Sequence, residues 1–575
     1  MGITSKRIQS KRIKSKCISA GALVGMLVGG CALGPDFHAP DAPKVEQYSS
    51  ALENTSENPL GDRTADGPEL KQGEHVPEQW WRVYGSAALN ELIRQGMRQS
   101  PTLAAARATL RAAQEDYASQ SGTILYPTVD GSIRSDRQKV SGVSFGQGGG
   151  FIYSLHTASV SVSYAFDPFG SGRRYLESLR AQVDYQGFQV EAANLTLAAN
   201  IVTTAISEAS LRSQWQAASD IVKNRRAQLK IVERQSELGV VTEADVLSQR
   251  TALAQAETAL PTLEKQLAQT QHQLSVLVGR FPGAGAGSNH AQPAHQKNSD
   301  GKSGMPVFEL DGLHLPASLP VSLPSELVHQ RPDIRAAEAQ LHQASALIGL
   351  ATANMYPSLK ITAGFGRQGV QFGDLLSGPA SGIWSIGSNV LQPLFHGGEL
   401  SAKRRQALAS FDAARAQYRQ TVLLAFRDVA DVLLALQSDA RGLKLQLKSE
   451  SLARQTQDLV QHQFNLGAAS FLSLLNAQQQ YRQSHIGVVQ ARAALLIDSA
   501  ALFQAMGGGW WQRDDAYRPV AGNADFFRAW AGAATSADKR SNYPSEKRSD
   551  KSSEKPSPNQ LNQSSAQPEM NHGQE

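Results

Sequence analysis

Apolar residues along the chain follow a helical period in two long stretches. They recur at alternating intervals of four and three residues over 422–447, and a similar spacing runs over 211–232. Neither 172–237 nor 399–465 contains a proline. Each of these stretches could form one helix ~100 Å long, at ~1.5 Å per residue. The spacing therefore predicts two very long helices with coiled-coil seams.

Each long helix is followed by a turn signal. A Leu-Gly pair ends each of them, Leu238-Gly239 in the first and Leu466-Gly467 in the second. Glycine readily adopts the left-handed conformation that closes a helix. The chain is therefore predicted to fold back twice, as two antiparallel helical hairpins.

The return arms of the hairpins are predicted to begin at hydroxyl N-caps, Thr242 in the first and Ser470 in the second. The arms span 242–278 and 470–506, and Pro261 interrupts only the first. Because proline cannot donate the hydrogen bond of a helix interior, we expect a break or kink there.

Alternation of apolar and polar residues marks four strands, at 129–134, 157–166, 359–366 and 384–390. In each strand an apolar face opposes a face of hydroxyl, glycine or charged residues, which is typical of transmembrane β-strands. The alternative is a strand packed on a soluble core, but the long helices leave no obvious core for it. Four strands cannot close a membrane barrel, which needs ~8. Several chains are therefore predicted to share one barrel.

The order of these elements occurs twice. Ser100-Pro101 recurs as Arg331-Pro332, and Tyr126-Pro127 recurs as Tyr356-Pro357. The duplication predicts tandem repeats at 87–281 and 323–510, joined by a linker at 282–322.

The ends of the chain predict targeting and an anchor. Residues 1–30 combine six Lys and Arg residues with a short apolar run, as in a secretory leader. Small residues before Cys31 resemble the lipobox of bacterial lipoproteins, in which the cysteine becomes the acylated N-terminus. Ordinary cleavage that leaves Cys31 as a free thiol is the alternative. We expect a lipid-anchored extended segment at 31–86 and a C-terminal extension with a disordered tail at 511–575.

Charge and cysteine content exclude several classes of function. The formal net charge of +5 includes the six leader cations, so the mature chain carries −1 and has no basic surplus for nucleic acid. The two cysteines, Cys17 and Cys31, leave no disulfide and no thiolate metal site in the mature protein. The 13 histidines are scattered, and the sequence lacks the common catalytic and nucleotide-binding motifs. We therefore expect neither an enzyme nor a bound cofactor or metal.

Several motifs together resemble the NodT-type lipoprotein branch of the TolC family of outer membrane factors. Cys31 is followed by Gly-Pro-Asp-Phe at 34–37, and Leu-Pro-Ser-Glu-Leu at 323–327 leads into Arg-Pro-Asp-Ile-Arg-Ala-Ala-Glu at 331–338. The resemblance covers roughly 31–508.

This resemblance implies an α+β membrane fold in the outer membrane of a Gram-negative bacterium. Four strands per chain of a homotrimer would form a twelve-stranded β-barrel, which a long α-helical coiled-coil barrel continues across the periplasm. It also implies two partners, a periplasmic adaptor and an inner-membrane RND transporter.

The resemblance assigns adaptor contact to the tip residues Leu238, Gly239, Leu466 and Gly467. It makes Asp245 a gate candidate, because a ring of three such carboxylates would favour cations at the constriction.

The second tip departs from the family pattern. Ser473 and Asn476 are gate candidates that stand where some relatives place aspartates. A second acidic ring is therefore not expected.

The resulting hypothesis is a passive, gated duct that exports small molecules or drugs within an RND-type tripartite pump. The outlet of a type I protein secretion system is an alternative with the same architecture. A periplasmic coiled-coil scaffold is an alternative from another class.

Overall fold

Helices make up most of the part of the chain that the structure describes. The structure, a computed structural model, describes residues 32–43, 48, 69–141, 143, 146, 148–282, 305–316, 318–375 and 381–519. Its helices are α1 (Ala87–Gln99), α2 (Pro101–Leu125), α3 (Ser171–Glu237), α4 (Glu243–Glu257), α5 (Ala259–Leu277), α6 (Pro324–Gln330), α7 (Pro332–Ala353), α8 (Glu399–Asn465) and α9 (Phe471–Ala505). Its strands are β1 (Glu69–Gln72), β2 (Thr128–Ser141), β3 (Gly150–Phe166), β4 (Ser318–Val321), β5 (Ser358–Gly369) and β6 (Ser381–Leu391).

The chain divides into two units, Met1–Tyr517 and Arg518–Glu575. Of the second, only the first two residues are described. The predicted leader, Cys31 and most of the predicted C-terminal extension lie outside the described residues.

Both predicted hairpins are present. α3 packs against α4 and α5, and α8 packs against α9. The apolar seam of α8 is fully buried at Leu433, whereas Leu447, nearer the turn, is 47% exposed. The seam is therefore more deeply buried far from the turn of the second hairpin than near it.

The first return arm breaks at Thr258, between α4 and α5. Pro261 lies in the first turn of α5, where its missing N–H costs no helical hydrogen bond. The predicted break is confirmed, and the second arm, α9, is continuous.

α9 is also long and apolar enough to cross a membrane, over Leu472–Ala505. However, 44% of its most apolar window is buried inside the protein, and the helix packs against both α8 and α3. We therefore assign α9 to the hairpin.

The four predicted strands form one antiparallel sheet in the order β2-β3-β5-β6. Its register aligns Val160 with Gly131 on one side and with Phe365 on the other, and Phe365 with Trp384. In this row Val160 is 48%, Phe365 69% and Trp384 77% exposed. The neighbouring row, which points to the opposite face, aligns Ser161 with small or polar residues. One face of the sheet is thus apolar and open, and the other is polar.

A core between the sheet and the hairpins joins both repeats. α7 packs against both long helices, and α2 packs against α3. In the same core, Trp80 stacks on Phe503 with ring centroids 5.2 Å apart, and the Tyr84 hydroxyl lies 2.9 Å from the Ser499 hydroxyl. These contacts fix the segment just before the first repeat to the end of the second repeat.

Part of the predicted linker is packed in the structure. Phe308, Leu310 and Leu313 are buried, and β4 pairs in parallel with β1 of the predicted extended segment. The backbone N–H of Phe308 donates to Glu208 of α3 at 3.3 Å. Residues 305–316 and 318–321 of the predicted linker are therefore ordered and packed, and residues 283–304 lie outside the described part of the chain.

Candidate channel tip

The first turn closes at Gly239, as the sequence predicted. Gly239 has φ +73°, and its N–H donates to the Ser236 carbonyl at 2.9 Å. The N–H of Val240 donates to the Gln235 carbonyl, also at 2.9 Å. This pair of bonds is the Schellman arrangement, which needs a left-handed residue and so favours glycine.

Asp245 caps the helix that follows. Its carboxylate accepts from the Thr242 backbone N–H at 2.9 Å and from the Thr242 hydroxyl at 2.7 Å. The Asp245 N–H donates back to the Thr242 hydroxyl oxygen at 3.4 Å, which completes a capping box. The side-chain hydrogen bond from Thr242 lowers the pKa of Asp245. Asp245 is therefore held as an exposed anion at the first tip.

The second turn has the same backbone but no charge at the cap. Gly467 has φ +74°, and its N–H donates to the Phe464 carbonyl at 2.9 Å. The Ser470 hydroxyl accepts from the Ser473 N–H at 3.1 Å. Ser473 and Asn476 are both exposed on α9. The caps of the two return arms therefore differ by a carboxylate.

Apolar side chains are exposed at both tips. Leu238 is 66% and Val240 69% exposed in the first, and Leu466 is 84% and Leu472 63% exposed in the second. Exposed apolar side chains that cluster at the ends of two hairpins are typical of a surface that contacts another protein.

The two hairpins lie side by side. α3 packs against α9, and the Gln228 amide donates to the Gln478 side-chain oxygen at 2.7 Å. Each glutamine lies about three helical turns from its own tip. The tips of the two repeats are thus at the same end of the unit.

Polar side chains line a groove of about 610 Å³ between α3, α5 and α9. Its walls include Gln214, Gln269, Gln273 and Gln490. Leu211 and Ile497 also line the groove, which therefore presents amide groups beside apolar side chains. Among the described residues, no group of three or more His, Cys, Asp or Glu side chains could hold a metal.

A clamp on the N-terminal segment was not foreseen from the sequence. The buried Arg174 guanidinium donates to the Leu33 carbonyl at 3.0 Å and to the Asp36 carboxylate at 2.8 Å. Phe37 stacks on His342 with ring centroids 4.4 Å apart. The Gly-Pro-Asp-Phe motif was the available signal, but its partners on α3 and α7 are far away in sequence. The clamp holds the chain next to Cys31 where the sheet meets the helices.

Comparison with known proteins agrees with this architecture. The outer membrane efflux protein family matches residues 92–280 and 323–508. The antibiotic efflux pump outer membrane protein ArpC of Pseudomonas putida is 27% identical over 496 residues, which cover 86% of this chain and 95% of ArpC. Nodulation protein T of Rhizobium leguminosarum bv. viciae is 25% identical and covers 84% of this chain and 94% of its own length.

Among solved structures, the outer-membrane channel OprN superposes with a TM-score of 0.69 and 25% identity. The match covers 84% of this chain and all of the OprN chain. The predicted resemblance is confirmed. The chain therefore belongs to the outer membrane efflux protein family, and it is a transport channel component of the outer membrane rather than an enzyme.

Proposed function

We propose that three copies of this chain form one duct, which is the outer membrane component of an RND-type tripartite pump. The sheet carries the proposal. It has an open apolar face, and β2 and β6 are its free edges. Because unpaired edges are not tolerated in lipid, β6 of one copy would pair with β2 of the next. Three sheets of four strands then close a twelve-stranded barrel.

The long helices support the same trimer. α3 and α8 each have 67 residues and end at equivalent Leu-Gly pairs, so Ile206 of α3 corresponds to Leu434 of α8. Ile206 is fully buried, in a core cluster to which both repeats contribute, whereas Leu434 is 57% exposed. In the proposed trimer the first repeat of the next copy covers Leu434.

Other leucines extend this surface along α8. Spacings of 11 and 7 residues keep them on one side of a helix. The exposed row is Leu423, Leu434, Leu445, Leu452 and Leu459. The row is the second seam that a helical barrel of several copies requires.

The exposed tips would contact the periplasmic adaptor, and the inner-membrane RND transporter would supply the energy. Leu238, Gly239, Leu466 and Gly467 form the proposed adaptor surface. Asp245, Ser473 and Asn476 would line the gate, which opens when the adaptor binds the open tip better than the closed one. Small molecules are the proposed cargo, because ArpC is named for antibiotic efflux. No cofactor has a role in this passive step.

Cys31 is the proposed lipid attachment site. The clamp at Arg174 supports this role, since it fixes Leu33, two residues after Cys31, beside the start of α3. A lipid on Cys31 would then enter the membrane next to the barrel.

Two adjacent substitutions on β3 test the barrel. Val160→Arg places a charge on the apolar face, at a cost of ~2–4 kcal/mol per chain near the bilayer centre. Ser161→Arg places the same charge on the polar face. We expect heat-modifiable trimers in the outer-membrane fraction for Ser161→Arg and their loss for Val160→Arg. Equal behaviour of the two variants would exclude a lipid-facing row at Val160.

A further inference from the structure

An arginine occupies the apolar seam of the first long helix. Ala218, Val222 and Val232 of this seam are buried, and Arg225 continues their spacing of four and three residues. Arg225 is only 7% exposed. A buried guanidinium is costly unless an opposite charge accompanies it.

The described residues offer Arg225 little compensation. Among the described residues, the Arg225 guanidinium donates one hydrogen bond, to the side-chain oxygen of Gln479 on α9 at 3.5 Å. The adjacent Arg226 is different, because it points outward and pairs with Glu257 at 2.7 Å. Of these two neighbouring arginines, the buried Arg225 is therefore the one that has no carboxylate partner among the described side chains.

A second arginine shares the same interface. Arg482 lies three residues after Gln479 on α9, so both side chains face α3 at neighbouring levels. Arg482 is half-buried. Burial lowers the pKa of both arginines, and the charge of Arg225 lowers that of Arg482 further. Asp220, the carboxylate that raises the pKa of Arg482, is exposed and binds Lys223 at 3.2 Å.

We propose that Arg225 and Arg482 form a binding site for a small dianionic oxoanion of the sulfate or phosphate type, between the two hairpins of one chain. Planar guanidinium groups bind such oxygens with paired N–H donors. Gln479 can turn its amide N–H toward the same ligand. Because Arg225 belongs to the first hairpin and Arg482 to the second, the bound anion would hold the hairpins together. Without it, the two cations repel each other and favour separation.

Thermal unfolding of the full-length protein in detergent tests the site. Sodium sulfate is titrated at constant ionic strength while helical circular dichroism is followed. We expect a saturable rise in the unfolding temperature of about 2 °C for the wild type. Arg226→Gln should keep this rise, since Arg226 is paired and exposed. Arg225→Gln and Arg482→Gln should abolish it.

The variants also distinguish a bound anion from an acidic side chain of another copy. At low sulfate, Arg225→Gln should unfold at a higher temperature than the wild type, because it removes an uncompensated charge. If Arg225→Gln unfolds at a lower temperature there, an acidic side chain of another copy fills the site and the proposal fails. An equal sulfate effect in all variants would also overturn it. Should Arg225→Gln not fold, Arg225→Lys keeps the charge, and its half-saturation by sulfate should weaken about tenfold.

Discussion

At the scale of single residues, the tips are held by hydrogen bonds within one turn, whereas Arg174 is held by groups on a distant segment. Gly239 and Gly467 take the left-handed conformation that their positions predicted. The capping box at Thr242 and Asp245 also follows from residues three apart. By contrast, the partners of Arg174 lie on segments brought together only by the fold. Sequence spacing predicts interactions within a turn, but not those between distant elements.

Asp245 is expected to order the start of α4. Asp245→Ala removes the acceptor of two Thr242 hydrogen bonds, so amide hydrogen exchange in the first turn of α4 should become faster. Because the folded-state pKa of Asp245 is lowered, the capping contribution is present at neutral pH and is lost as the pH falls through that pKa. Ser248→Ala on the exposed side is the control. Unchanged exchange in Asp245→Ala would contradict the capping role.

Asp498 of α9 is expected to make stability depend on pH. Burial and the neighbouring Asp439 carboxyl raise the pKa of Asp498 to about 6. The folded state therefore binds the proton more tightly than the unfolded state, and stability falls as the pH rises toward that value. Asp498→Asn should raise the unfolding temperature well above pH 6 and change it little near pH 4. The exposed Asp458→Asn is the control, and an equal effect of Asp498→Asn at both pH values would exclude this coupling.

At the scale of elements, long periodic segments were predicted well and short ones were missed. The helical period and the absence of proline located α3 and α8, since each signal extends over many turns. β1 and β4 have four residues each and pair in parallel across more than two hundred residues of chain. A strand of that length has too little periodicity to be recognised, and its partner cannot be known before the fold is.

The seam of α8 allows a matched comparison of two neighbouring leucines. Leu433 is 1% exposed and packs inside the chain, whereas Leu434 is 57% exposed and faces the proposed next copy. Leu433→Ala should cost ~2–5 kcal/mol of hairpin stability, measured by chemical denaturation of the helical signal. Leu434→Ala should leave that transition nearly unchanged and weaken the trimer in native mass spectrometry. The reverse assignment of effects would contradict the proposed interface.

At the scale of the whole molecule, one chain exposes the surfaces through which the proposed trimer would form. The sheet has two open edges and an apolar face, and α8 carries a row of exposed leucines. The sequence alone showed that four strands are too few for a barrel. It could not show that a position buried in the first repeat, Ile206, is exposed at the equivalent Leu434 of the second repeat. That difference is seen only in the structure.

Single-channel recording in planar bilayers tests the central proposal, that several copies enclose one water-filled duct. We expect discrete conductance steps from the purified protein. In Asp245→Ala we expect a reduced preference for cations, because the proposed ring of carboxylates at the gate is removed. The absence of discrete steps from both proteins, after their insertion into the bilayer has been verified, would contradict the proposal.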